Sequence, residues 1–378
     1  MQPDSQPTPD NSQASDDHDH PTVIDTKPKS RKKLIFIIST VVLVIASAVV
    51  AWVVLSAPVT KTDESSVSQS TSKPITSAIS IPDSINPVDP EKLPVGENKY
   101  TSTGPKAGYV YSCQAQFGAD AGGAQVAGPW INQSTKTWNS KQKVTVSGNV
   151  LWPNASYQVS STSAIRTINA NGLPINNQPS GTFPIQSSDT AYQYDRNPNS
   201  IAAKTIAWQL PVTPVALGTP QCTNMGAIGI LSNGVVLFNA LDGMGRDAAA
   251  YETLDKCEGH PERTSEYHHH TISSCILSQY TTPNTSTLVG YAIDGYGIYV
   301  EIDKNGKYLT NENLDECHGR TSNILWDGKV QNMYHYVATI EYPYTIGCFR
   351  AKPAVETTSH QQPSTTQQQR PQGPPPPR

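Results

Sequence analysis

The sequence predicts an all-β or β-rich, internally duplicated domain with short helices and disulfides, behind one N-terminal transmembrane helix. Three observations carry this prediction. An uncharged apolar run lies near the N-terminus, six cysteines are confined to the region after it, and a block of roughly 60 residues occurs twice. The 378 residues carry a formal net charge of −4, with 27 Lys and Arg against 31 Asp and Glu. That balance excludes a basic nucleic-acid binder, whose affinity would rest on neutralising phosphates. Mean hydropathy is −0.43 and there are 31 prolines, so part of the chain is expected outside any compact core.

The apolar run is residues 34–55, LIFIISTVVLVIASAVVAWVVL, with no charge and no proline. As a helix it is roughly 33 Å long, enough to cross a ~30 Å hydrocarbon core while satisfying its own backbone hydrogen bonds. Trp52 stands at its outer end as an interfacial anchor. Lys27, Lys29, Arg31, Lys32 and Lys33 precede the run, and Asp63 and Glu64 follow it. The basic side is expected to stay cytoplasmic, which gives a single-pass membrane protein, N-terminus cytoplasmic and C-terminal domain extracytoplasmic. With polar residues 1–33 ahead of it, the run reads as an uncleaved anchor rather than a signal peptide. The lipid bilayer is then the partner of residues 34–55.

Residues 1–33 read as a disordered cytoplasmic tail, 56–105 as a Ser/Thr/Pro-rich linker, and 351–378 as a disordered Pro/Gln-rich tail. That leaves 106–350 for the folded domain. Cys113, Cys222, Cys257, Cys275, Cys317 and Cys348 all fall there. An even number of cysteines facing an oxidising compartment predicts three disulfides.

Within the domain, KVTVSGNVL at 143–151 alternates with period two and predicts a strand. Tyr157 to Ile168 is rich in Ser, Thr and Val and predicts another. Asn171-Gly172, Asn233-Gly234, Asp294-Gly295, Asn305-Gly306 and Asp327-Gly328 are hairpin turn pairs. Asp247 to Leu254 (DAAAYETL) is the best short helix. Asp242 to Asp247, DGMGRD, reads as a Gly-rich loop entering that helix, a turn with Asp capping the helix rather than an anion-binding loop.

The duplication covers about 226–275 and 290–348. GAIGILSNGVVLFNALD, LDKCEGH, EYHHH and Cys275 in the first copy match VGYAIDGYGIYVEID, LDECHGR, MYHYV and Cys348 in the second, in the same order. Two similar β units related by a pseudo-twofold axis follow. The simplest symmetric pairing is Cys257–Cys275 and Cys317–Cys348, leaving Cys113–Cys222. A zinc–thiolate site would need CxxC spacing, which is absent.

Several of these segments together resemble the YHYH domain family. They are Gly226-Ala227-Ile228-Gly229 with Asn233-Gly234, Phe238 to Asp242, Cys257 to His260, Tyr267-His268-His269-His270, Tyr334-His335-Tyr336, and Tyr342 to Arg350. Ser180 to Pro184 and Tyr194 to Asn199 add to the likeness, which spans roughly 110 to 350. The motif itself departs, reading Tyr-His-His-His in one copy and Tyr-His-Tyr-Val in the other, with Val337 where a fourth ligand or proton carrier would stand. The family is named for its motif, so the resemblance implies a domain and no particular activity.

If both Tyr-His segments are strands, His268 and His270 share one face and Tyr267 and His269 the other. Symmetric packing of the copies is then expected to bring His335 against His268 and His270, forming a site for Cu or Zn. His260 and His318 follow matching cysteines and are further candidate ligands. Asp255 and Asp315, with Tyr267 and Tyr334, are expected in the supporting shell that orients the imidazoles. The alternative is a structural network of buried Tyr–His hydrogen bonds. A non-catalytic surface module is the second functional reading, in which Tyr291, Tyr296, Tyr299, Tyr308, Tyr342 and Tyr344 form a platform for an extracellular glycan, peptide or cell-wall ligand. A hydrolase would need His beside Asp294, Glu258 or Asp315 to activate water. The chain contains no serine elbow, HExxH or phosphate loop.

Overall fold

A computed structural model describes residues 87–118, 122–279 and 286–355. The expected tail 1–33 and span 34–55 lie outside the described residues, as do the first part of the linker and the C-terminal tail from 356 on. Among the described residues no helix is long and apolar enough to cross a membrane.

Short strands open the fold: β1 (Leu93–Pro94), β2 (Tyr100–Thr101), β3 (Val110–Tyr111), β4 (Ile131–Asn132) and β5 (Thr137–Trp138). Leu93 and Val95 are buried with Trp130, Trp138, Tyr251 and Ile340. The folded part therefore reaches back into the segment expected as linker, because these few apolar residues among the prolines find a core to enter. The alternating stretch 143–151 forms no strand. Its Val146 and Val150 make single bridges to Asp255 and Ser180. β6 (Tyr157–Ser161), β7 (Ile165–Ala170) and β8 (Ile206–Pro211) form an antiparallel sheet of three. β9 (Ala216–Gln221) pairs with the last strand of the chain.

The repeat builds the central sheet. The first copy gives β10 (Ala227–Leu231), β11 (Val236–Phe238), β12 (Gly259–Pro261) and β13 (Tyr267–His269). The second gives β14 (Thr287–Ala292), β15 (Gly297–Val300), β16 (Gly319–Trp326) and β17 (Lys329–Val337), and β18 (Phe349–Ala351) closes the chain. The spatial order is β12-β13-β11-β10-β14-β15-β17-β16, which reads the same from either end once the copies are exchanged. Antiparallel pairing of Ile230 with Tyr291 forms the seam. On each side of it a hairpin is followed by a parallel pair, β11 with β13 and β15 with β17, and then an antiparallel outer pair.

The expected turns carry the chain round. Gly234 and Gly295 have positive φ between the hairpin strands, and Asp327 and Gly328 both do so at the β16–β17 turn. Positive φ at both central residues is what a type I′ two-residue hairpin loop requires, and of these three turns Asp327-Gly328 meets it. Ile228, Leu231, Leu237, Val289, Ile298 and Tyr336 lie in the main core, and Ile168, Ile206 and Leu210 of the three-stranded sheet cover Ile230, Val236 and Phe238. Arg166 fastens the two sheets. It is fully buried between the rings of Tyr291 and Trp326 and grips both carboxylate oxygens of Asp327 at 2.6 and 2.7 Å. The three disulfides are Cys113–Cys222, Cys257–Cys275 and Cys317–Cys348, the pairing that the repeat predicts.

Candidate metal centre

Edge-to-edge association of the copies decides where the histidines go. β13 and β17 are separated by four strands, roughly 24 Å at ~4.8 Å per strand. His335 therefore does not meet His268 and His270. The expected convergence across a symmetry axis assumed that the copies stack face to face, whereas they join through β10 and β14.

The imidazoles that do converge come from one copy. His260 on β12 lies directly opposite His268 on β13, a cross-strand pair on one face. His270, two residues further on, returns to that face. His268 Nε2 is 3.1 Å from His270 Nε2, and His260 Nε2 is 3.3 Å from it. All three nitrogens lie within 4.8 Å of one another, so the group could hold a metal ion.

Backbone carbonyls aim two of these rings. His268 donates from Nδ1 to the Glu266 oxygen at 3.1 Å, and His270 from Nδ1 to the Asn239 oxygen at 2.5 Å. With the proton fixed on Nδ1, each neutral ring turns a lone pair inward at Nε2. Phe238 stacks on His268 with centroids 3.9 Å apart. Burial keeps the imidazoles uncharged. It pushes His268 down to about 3 and His260 and His270 well below the usual histidine range, with neighbouring rings adding to the effect.

A fourth donor stands beside them. Glu252 Oε2 is 3.4 Å from Nε2 of both His260 and His270. That oxygen and His260 Nδ1 are buried with no hydrogen-bond partner among the described residues. Burial, together with the neighbouring Asp242 and Asp195, pushes the Glu252 carboxyl well above its ordinary range. Local structure explains its position. Asp247 caps the helix Ala248–Tyr251 by accepting from the Ala250 N–H, three alanines carry the turn, and Glu252 leaves it in extended conformation. The sequence reading passed over Glu252. The available signal was its match to Glu312, two residues before the Leu-Asp of the other copy.

The remaining predicted residues have other work. His318 donates from Nε2 to Thr339 Oγ1 at 3.1 Å, away from the cluster. His335 meets Glu301 through Nε2. His269, on the opposite face, donates from Nδ1 to the Glu258 oxygen and accepts from Asn233 at Nε2. Asp255 and Asp315 do not touch the converging imidazoles. Asp255 accepts from Tyr267 Oη at 2.8 Å and from the N–H groups of Gly181, Cys257 and Gly259. Asp315 accepts from Tyr334 Oη at 3.1 Å and from Cys317 and Gly319. These pairs brace the strands, and carbonyls orient the rings instead.

Of the tyrosines expected on a platform, Tyr296, Tyr299, Tyr342 and Tyr344 are core residues and only Tyr291 and Tyr308 are half-buried. The loop 242–247 is a turn, as read: Asp242 accepts from the Met244 and Arg246 N–H groups and pairs with the Arg246 side chain at 2.7 Å.

Comparison with curated proteins and with solved structures gives no match. Comparison with family models does. The matching region runs from β8 past β15, and so includes Glu252 and all three converging histidines. Residues 207–309 match the family described as YHYH protein, and the chain accordingly carries a YHYH domain.

Proposed function

We propose that this domain binds one Zn2+ ion through His260, His268 and His270, with Glu252 as the balancing carboxylate, in a closed structural centre. The observation that carries the reading is the convergence of three Nε2 atoms, two of them aimed by carbonyls, beside a buried carboxylate oxygen that has no hydrogen-bond partner among the described residues. Facing lone pairs repel one another, and each unpaired buried polar group costs about 1–3 kcal/mol. A divalent cation turns both costs into bonds.

Geometry favours zinc over copper. Zn–N bonds of about 2.0–2.1 Å in a tetrahedron put neighbouring donors about 3.3 Å apart, whereas cis donors of a square-planar Cu(II) site are about 2.9 Å apart. The separations of 3.3 and 3.4 Å match the tetrahedral edge, and that of 3.1 Å lies midway between the two. Exposure favours a structural ion over a catalytic one. The three histidines and Glu252 are 2–6% exposed, and catalytic zinc keeps a position open to substrate. The ion would tie β12, β13 and the end of the helix Ala248–Tyr251 together.

Three disulfides support an oxidising, extracytoplasmic setting, and the apolar run 34–55 supports a membrane anchor. Metal analysis of the full chain, purified without a histidine tag, tests the central proposal. About one zinc per chain is expected, lost in the His268→Ala/His270→Ala double variant. A folded chain that retains no zinc or copper after incubation with either overturns it. Protease treatment of intact, wall-free cells tests the topology, and a protected domain contradicts it.

A further inference from the structure

The second copy holds one imidazole in the pose of a metal ligand, in surroundings without a metal's other ligands. The ladder registers fix the correspondence. His260 pairs with His268 across β12 and β13, and Arg320 pairs with His335 across β16 and β17. His269 pairs with Leu237 on the parallel neighbour, and Tyr336 pairs with Ile298 on its counterpart. Arg320 thus takes the place of His260, His335 that of His268, and Val337 that of His270.

The ring pose is kept. His335 donates from Nδ1 to the Met333 oxygen two residues back at 3.1 Å, the same bond and length that His268 makes to Glu266. Its Nε2 therefore points where the first copy gathers its donors. There it meets the Glu301 carboxylate, and Arg320 Nε lies 3.9 Å from the second Glu301 oxygen. Glu301 stands where the first copy has Ala240, while Glu312, the match to Glu252, is exposed. An aromatic ring stands against the imidazole from the matching position in both copies, Tyr299 edge-on to His335 and Phe238 stacked on His268.

We infer that the second copy is a converted metal centre, in which the Arg320 guanidinium and the Glu301 carboxylate stand in for the ion and its remaining ligands, and that Arg320→His turns it back into a divalent-metal site. This rests on the zinc reading of the first copy. The substitution leaves two imidazoles and a carboxylate facing one point, a donor set suited to zinc. It also removes a cation that would repel an incoming ion.

The test is the zinc content of the full chain and its Arg320→His variant after incubation with Zn2+ and desalting. The expected result is a rise from about one to about two zinc ions per chain. Arg320→Asp, which supplies a carboxylate at the same half-exposed strand position, gives a second route to the same rise. Circular dichroism and the absence of free thiols verify the fold. Both variants folded and still at one zinc overturn the inference while leaving the first centre intact. A wild-type chain with no zinc overturns instead the reading on which it rests.

Discussion

Tyr267 reaches across Gly259 to donate its hydroxyl to Asp255 Oδ2 at 2.8 Å, and Tyr334 reaches across Gly319 to Asp315 at 3.1 Å. The first tyrosine of the Tyr-His motif is thus a brace between a strand and the loop that precedes its partner strand. Removing the hydroxyl leaves a fully buried carboxyl short of one donor. Tyr267→Phe is expected to cost about 1–3 kcal/mol in urea unfolding, and Tyr334→Phe less, because Asp315 is only half-buried. Equal, negligible costs would contradict the brace.

The same contact explains the glycine two residues after Cys257 and after Cys317. A Cβ at Gly259 would lie 2.2 Å from the Tyr267 ring, and one at Gly319 2.3 Å from the Tyr334 hydroxyl. Gly259→Ala must displace the ring, and is expected to lower stability by about 1–3 kcal/mol. Gly306, with nothing nearby but φ of +74°, is the control. Gly306→Ala should cost only the left-handed backbone penalty, about 1 kcal/mol. Thermal unfolding of the two variants checks the order.

Two buried groups give opposite pH dependences. Burial pushes Asp294 up to about 6, against the donors Tyr336, Ala351 and Tyr296 that favour its charge. Its stabilising contribution is full below about 4, and is lost as pH rises through 6. Relative to Asp294→Asn, the wild type should gain stability from pH 7 to pH 4, by at most about 3 kcal/mol. Burial pushes His318 down to about 3. Its contribution is full above about 6.5 and is lost as pH falls. Relative to His318→Gln, the wild type should lose stability over the same interval. Unfolding curves at pH 7, 5.5 and 4 read both differences.

The Cys257–Cys275 bridge encloses β12 and β13, and with them all three converging histidines. Cys257→Ala/Cys275→Ala frees that loop and is expected to weaken zinc binding at least about tenfold, or ~1.4 kcal/mol. Cys113→Ala/Cys222→Ala, which removes a bridge remote in sequence from these ligands, should change affinity far less. Chelator competition measures both.

Much of the fold was legible because its signals are local. The turn pairs Asn233-Gly234, Asp294-Gly295 and Asp327-Gly328 carry their own backbone requirement, and Asp247 caps its helix as read. The disulfides followed from the repeat, since matched cysteines in matched units pair in matched ways. The docking of the copies was not legible. Whether β10 meets β14 edge to edge or the units stack depends on which apolar faces the rest of the chain covers. That choice separates His335 from His268 and leaves His260 as the third converging ring. Glu252 was hidden for a related reason, because it reaches the cluster from the end of a helix rather than from either Tyr-His strand. The tyrosines read as a surface because their density says nothing of which face they take, and most went inward.

X-ray absorption at the zinc edge of the loaded full chain tests the central claim most directly. The account predicts nitrogen and oxygen neighbours at about 2.0–2.1 Å with the multiple-scattering pattern of three imidazoles. That pattern should fall to one imidazole or vanish in His268→Ala/His270→Ala. Sulfur neighbours near 2.3 Å, or a spectrum that the double substitution leaves unchanged, would contradict it.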